Sequence, residues 1–126
     1  METKKIEILR ESVSSELPQE VTQLNAEVTD YHYNIRENEK EDPIENKAIR
    51  EYLSDIIRIR THNIKEGEIV NALIREKYSI DEEFSLLRQK DSKKDSYEEY
   101  YDYAEECKKI GSLAFASFKK NGIING

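Results

Sequence analysis

The chain has one cysteine, two histidines, two prolines, four glycines and no tryptophan among its 126 residues, and each scarcity removes a class of function. A single cysteine excludes an internal disulfide. Cys107, His32 and His62 are far apart in the chain and do not offer the several nitrogen and sulfur ligands at short spacing that a zinc site takes. No glycine-rich phosphate loop is present, and Cys107 has no histidine placed by the sequence to activate it as a nucleophile. No cofactor and no metal are therefore expected, and no enzyme. No apolar run approaches a membrane span, and the opening METKKIEILRESVSSEL lacks the apolar core of a signal peptide. Synthesis in a cytosolic environment, with no membrane partner, follows as the expectation. Hydrophobic and charged residues each make up 37% of the chain, against usual values of about 45–50% and about 25%. The length suits one domain, and the composition implies a core that is thin for its surface.

Charge of one sign dominates only locally. The net charge of −7 is concentrated in residues 1–42, which hold 5 Lys and Arg against 11 Asp and Glu. An acidic surface repels phosphate backbones, and no basic stripe interleaved with aromatics is present, so direct nucleic-acid binding is not expected.

What the chain does have is helical patterning in its last two thirds. Asp42 before Pro43 reads as an N-cap acceptor ahead of a first-turn proline. Ile44, Ala48, Tyr52, Leu53, Ile56, Ile57 and Ile64 then share one face of a long helix over 43–77, with a break or close packing expected near Gly67. Ser79 with Glu82 has capping-box spacing, and Asp81, Glu82 and Glu83 place negative charge at the positive end of a helix dipole, so a short helix over 80–90 follows, burying Ile80, Phe84 and Leu87. Ser96 with Glu99 repeats the spacing ahead of a helix over 96–119. On that helix Tyr97, Tyr100, Tyr101, Ala104, Cys107, Gly111, Ala114, Phe115 and Phe118 recur at intervals of three and four. Asn121 and Gly122 supply a left-handed stop. Before residue 43 the signals conflict: Ile6 and Ile8 alternate as in a strand while Ile6, Leu9 and Val13 fit a helix, and VTDYHYNI (28–35) suits a strand. The fold class expected is mainly α, a helical hairpin or three-helix bundle over 43–122 with a partly extended acidic arm over 1–42 and a frayed tail over 123–126.

Paired carboxylates such as Glu98 with Asp102 read as a solvated face, and Cys107 reads as a small hydrophobe on an apolar helix face. The tyrosines are more informative. Four of them, Tyr97, Tyr100, Tyr101 and Tyr103, fall within seven residues and cannot all face one core, and the surplus favours a contact surface. Together with Tyr31, His32 and Tyr33 in the arm they form the candidate interface.

YSIDEEFSLLRQKD (78–91) followed by YEEYYDYAEECKK (97–109) resembles a pattern of small proteins of tailed bacteriophages and prophages, often from virion gene clusters. Tyr78, Ser79, Leu87, Arg88, Gln89, Tyr101, Glu106, Cys107 and Lys108 carry the likeness over about a quarter of the chain. Lys93 and Lys94 stand where that pattern often has a proline. The resemblance implies a virion-associated or tail-associated structural component, an adaptor or connector located in the virion after synthesis in the bacterial cytoplasm, with other virion proteins or a second copy of itself as partners. The alternative expectation is a small acidic inhibitor that occupies a basic protein surface of the host.

Overall fold

The computed structural model describes residues 4–124. Four strands come first, β1 (Ile6–Ser14), β2 (Val21–Gln23), β3 (Thr29–Glu41) and β4 (Ala48–Ile59). Three helices follow, α1 (Glu66–Arg75), α2 (Ile80–Arg88) and α3 (Lys94–Lys120). The strands form one antiparallel sheet in the order β1-β4-β3-β2, and the helices pack against it. The fold is mixed α/β. This corrects the expected mainly α bundle with an extended arm: residues 6–41 supply three of the four strands, and the first half of the expected long helix is β4.

The correction has a physical cause in β4. An interior strand is covered on both faces, so its apolar residues run together and can imitate a helical stripe. Ile57 and Ile59 point into the core beneath the helices, whereas Ile56 and Ser54 are buried on the opposite face. Four isoleucines among AIREYLSDIIRI favour the extended chain, because β-branched side chains are stiff against a helical turn. The Asp42-Pro43 signal is real but serves a hairpin. The Asp42 carboxylate accepts the Ile44 N–H at 2.9 Å, the Asp42 N–H donates to the Lys47 carbonyl, and Asn46 takes φ 55°, a turn chemistry that the same two residues favour. β3 and β4 then pair along their whole length, from Thr29↔Ile59 to Glu41↔Ala48. Cross-strand complementarity supports the charged part that resembled a linker: Arg50 pairs with Glu37, and the Asn38 amide donates to Glu51 at 2.8 Å.

β1 and β2 occupy opposite edges, so residues 15–20 must cross the sheet. Seven Cα steps reach about 25 Å, whereas a detour round the β3–β4 tip would need about 14 Å out from Ser14, about 30 Å back to Val21 and about 14 Å across. With the helices on the Ile57 side, the burial of Ile56 and Ser54 places the crossing on the other face.

The core lies between the sheet and two antiparallel helices. Ile69, Leu73 and Ile74 of α1 and Ala104, Cys107, Ala114 and Phe118 of α3 pack on Tyr31, Ile57 and Ile59. The Tyr31 ring meets the edge of Phe118 at 6.0 Å. Small residues line the α3 side that faces α1, and Gly111 is the tightest point: a Cβ there would lie 2.6 Å from the Val70 Cγ2. The Ser79–Glu82 capping box forms, with Glu82 N to Ser79 Oγ at 3.1 Å and Ser79 N to Glu82 Oε1 at 3.2 Å. The second expected box does not, since α3 begins at Lys94 with Lys93 as its cap and Ser96 falls inside the helix. At the other end Gly122 takes φ +73°; Ile123 N bonds to Phe118 O and Gly122 N to Lys119 O, the paired bonds of a Schellman stop. Ile124 is buried, and of the tail expected to fray, residues 125–126 lie outside the described residues.

Replacing Gly111 by Ala should destabilise the protein although Ala is the better helix former by about 1 kcal/mol, because the stiff Val70 side chain must give way. Urea unfolding of G111A should show a lowered midpoint that V70A, combined with it, partly restores relative to V70A alone.

Candidate functional site

Among the described residues two carboxylates are buried, Asp30 of β3 and Asp55 near the middle of β4, and Asp55 organises the strands on either side. Both neighbouring strands break register beside it, β1 between Leu9 and Ser12, opposite Asp55, and β3 between Tyr33 and Arg36, opposite Ser54. Each break holds a residue in the left-handed region, Glu11 and Asn34, both at φ 52°. Asparagine tolerates this conformation; for glutamate it costs about 1 kcal/mol or more. The buried Asp55 carboxylate offsets the cost: it accepts the Glu11 N–H at 3.0 Å, the Asn34 amide at 3.2 Å and the Arg10 guanidinium at 3.4 Å. Arg10 also donates to the Tyr33 hydroxyl at 3.2 Å and lies 3.8 Å from Glu76 at the end of α1.

Above this centre sit Tyr103, whose hydroxyl donates to the Leu73 carbonyl at 3.0 Å, and Cys107. Burial pushes the Tyr33 and Tyr103 hydroxyls up to about 12 and pushes the Cys107 thiol up as well. All three therefore stay protonated at neutral pH, so the arrangement anchors backbone and supplies no thiolate or phenolate. Among the described residues, no group of three or more His, Cys, Asp or Glu is placed to hold a metal ion, and no helix is long and apolar enough to cross a membrane.

The pleat separates the three candidate interface residues of the N-terminal region. Tyr31 and Tyr33 face the helices, stacked with ring centroids 6.1 Å apart. His32 faces the other side, where its Nδ1 lies 3.1 Å from the Ser54 hydroxyl, near the bidentate pair of Arg58 with the buried Asp30 at 2.7 and 2.9 Å. Burial lowers the His32 pKa; Asp30 acts to raise it and Arg58 to lower it further.

The α3 tyrosines form a ladder that fastens α2 and the α1–α2 turn. Tyr78 meets Tyr100 edge-on at 5.2 Å and Tyr103 at 5.7 Å, while Tyr97 contacts both Tyr100 and Tyr101 at 6.3 Å. The Tyr100 hydroxyl donates to Glu83, whose other oxygen accepts Arg75 at 2.7 Å. Burial pushes the Glu83 carboxyl up, but the bonds from Tyr100 and Arg75 outweigh it and leave the carboxyl below its usual value. Tyr100 is buried, Tyr97 and Tyr103 are partly so, and Tyr101 is about half exposed.

Two exposed apolar surfaces were not foreseen. α2 turns away from the core the face expected to be buried, leaving Ile80, Phe84 and Leu87 at 56%, 58% and 44% exposure; only Leu86 of its apolar residues packs against the core. The second surface is the distal part of the sheet, where Val13 of β1 lies beside Leu53 of β4 and Ile49 shares their face, with Glu51 between Leu53 and Ile49. Val13 and Ile49 are exposed, and Ile44 in the tip turn is 91% exposed. An open groove of about 630 Å³ between α2 and α3 is lined by Lys77, Tyr78, Asp81, Glu82, Leu86 and Glu99 among others. Comparison with protein-family models, with curated proteins and with solved structures gives no match.

Asp55→Ala should destabilise the fold by about 1–3 kcal/mol, since it leaves the Glu11 N–H and the Asn34 amide, both part-buried, without their acceptor; denaturant unfolding measures it, and an unchanged midpoint would show that the two bulges do not depend on Asp55. His32 adds a pH dependence. Its folded-state pKa lies below the unfolded value near 6.5, so the unfolded chain takes up the proton more readily and stability falls as pH drops from 6.5 through the folded-state value. In H32Q the fall in midpoint between pH 7.5 and about pH 5 should be smaller than in the parent.

Proposed function

We propose that this chain is a non-enzymatic interaction protein, an adaptor or connector component of a bacteriophage virion or tail. The observation that carries the reading is the β3–β4 ribbon. It projects beyond the helical layer and presents Leu53 and Ile49 on one face, with Val13 of β1 beside Leu53 and Ile44 at the tip. Exposed apolar side chains on a projecting arm are costly unless a partner covers them. The resemblance of residues 78–109 to small phage virion proteins supports the setting, with synthesis in the host cytoplasm and the virion as destination. Docking is through protein surfaces, with no nucleic acid or membrane engaged.

A second reading has an observation of its own. Glu37, Glu39 and Glu41 stand at alternate positions of β3, on the face opposite the apolar row, and all are exposed. Such a row suits an acidic inhibitor of a basic host protein. Salt separates the two, because apolar docking persists in about 1 M salt, where the screening length shrinks to about 3 Å, and charge mimicry does not.

The adaptor reading requires the chain in purified particles by mass spectrometry, retained through a high-salt wash and lost when Ile44 and Ile49 are both changed to Asp. Its absence from particles, together with salt-sensitive binding to a basic protein, would overturn the reading in favour of the inhibitor.

A further inference from the structure

We infer that α2 is a homodimerisation helix that pairs antiparallel with α2 of a second copy across a twofold axis beside Phe84. The inference goes beyond the virion assignment and does not depend on it. A nine-residue helix is too short to be stable in water on its own and relies on burying one face. α2 has no fully buried residue; it is held by the tyrosine ladder and Glu83 on one side, while Ile80, Phe84 and Leu87 form an uncovered stripe at i, i+4 and i+7.

The charges beside that stripe select the occupant. Asp81 and Arg88 are seven residues apart, two turns, and lie on the same flank of it. In an isologous antiparallel pair the same flanks face each other with their ends exchanged. Asp81 is then set against Arg88 of the second copy, and Arg88 against its Asp81, while Ile80 meets Leu87 of the second copy and the two Phe84 rings meet at the axis. A parallel pair would instead turn the Asp81 and Arg88 flank towards the flank that carries Glu83, a carboxylate already engaged by Arg75 and Tyr100. Among the described residues neither Asp81 nor Arg88 has an ion-pair partner within its own chain. Asp81 also lines the open groove with Glu82 and Glu99, so the arriving guanidinium meets a carboxylate-rich rim. Glu83 on the opposite flank is already engaged by Arg75 and Tyr100 and leaves no like-charge conflict there.

The three side chains expose about 300 Å² per copy, so the pair buries well under the roughly 1,200–2,000 Å² of a standard stable interface. The dimer should accordingly dissociate in the micromolar range, at roughly 10–100 μM.

Sedimentation velocity over roughly 5–500 μM protein tests the inference. The wild-type chain should pass from monomer to dimer, and F84E should stay monomeric with an unchanged circular dichroism spectrum and thermal midpoint. D81R and R88D should each weaken the dimer about tenfold or more, and the D81R/R88D double variant, which re-creates the pairing with signs exchanged, should recover most of the loss. Amide exchange over residues 80–88 should slow with concentration in the wild type and not in F84E, which reads α2 burial even if a charge variant loosens the helix. A wild-type chain that stays monomeric overturns the inference. So does a dimer that survives F84E, or a double variant no better than the singles with no concentration-dependent protection of α2.

Discussion

The shape of the molecule depends on the Asp55 carboxylate. A sheet whose long hairpin ran straight would either lie wholly beneath the helices or leave them wholly behind. Two bulges lie on either side of one strand at the level where α1 ends, and both are held by the same side chain; a bulge bends and twists the strand that carries it. On one side of that level β3 and β4 are core strands carrying Tyr31, Ile57 and Ile59. On the other β1 ends at the level of Tyr52, and β3 and β4 continue as a two-stranded ribbon. The strain of a left-handed glutamate and the cost of burying a carboxylate offset each other, because each supplies what the other lacks: an oriented backbone donor and an acceptor. Arg10 links the arrangement to the end of α1, so the helical layer and the bend are set together.

A second constraint works at the far side of the core. α3 runs for 27 residues and presents small side chains to α1, letting the helices approach until Gly111 touches Val70. Its N-terminal half is built differently, with tyrosines where the other half has alanine and glycine. Those rings fill the wider space in which α2 sits and supply hydroxyls for Glu83 and the Leu73 carbonyl. The helical layer therefore has a tight half and a loose half, and the exposed stripe belongs to the loose one.

Signals confined to a few neighbouring residues were legible in the sequence. The Ser79–Glu82 box, the Gly122 stop and the alternation of Ile6 and Ile8 depend on local geometry, and the structure shows each of them. The Asp42-Pro43 pair reads in the sequence as a helix start and serves a hairpin instead, since the same two residues open helices and turns alike. β4 was misread because an interior strand loses the alternation that identifies an edge or one-sided strand. The α2 stripe was misread for another reason: periodicity shows that a helix has an apolar face and says nothing of what covers it. The Asp55 centre left only a faint trace, a lone acid inside SDII and an asparagine within a strand-like run; its meaning appears when three strands are aligned.

The strand order has a consequence for how the chain reaches this state. β4 is the inner strand that β1 must pair with, yet it lies more than thirty residues further along the chain, beyond the hairpin that it forms with β3. On the ribosome, the β3–β4 hairpin can close from contacts between near neighbours, while Ile6, Ile8 and Leu9 emerge early and wait without a mate. Joining β1 closes a long loop and brings residues 15–20 across the back of the sheet, a slow step by the usual dependence of folding rate on sequence separation. During that interval the newborn chain carries an unpaired apolar strand, the kind of segment that nascent-chain chaperones hold.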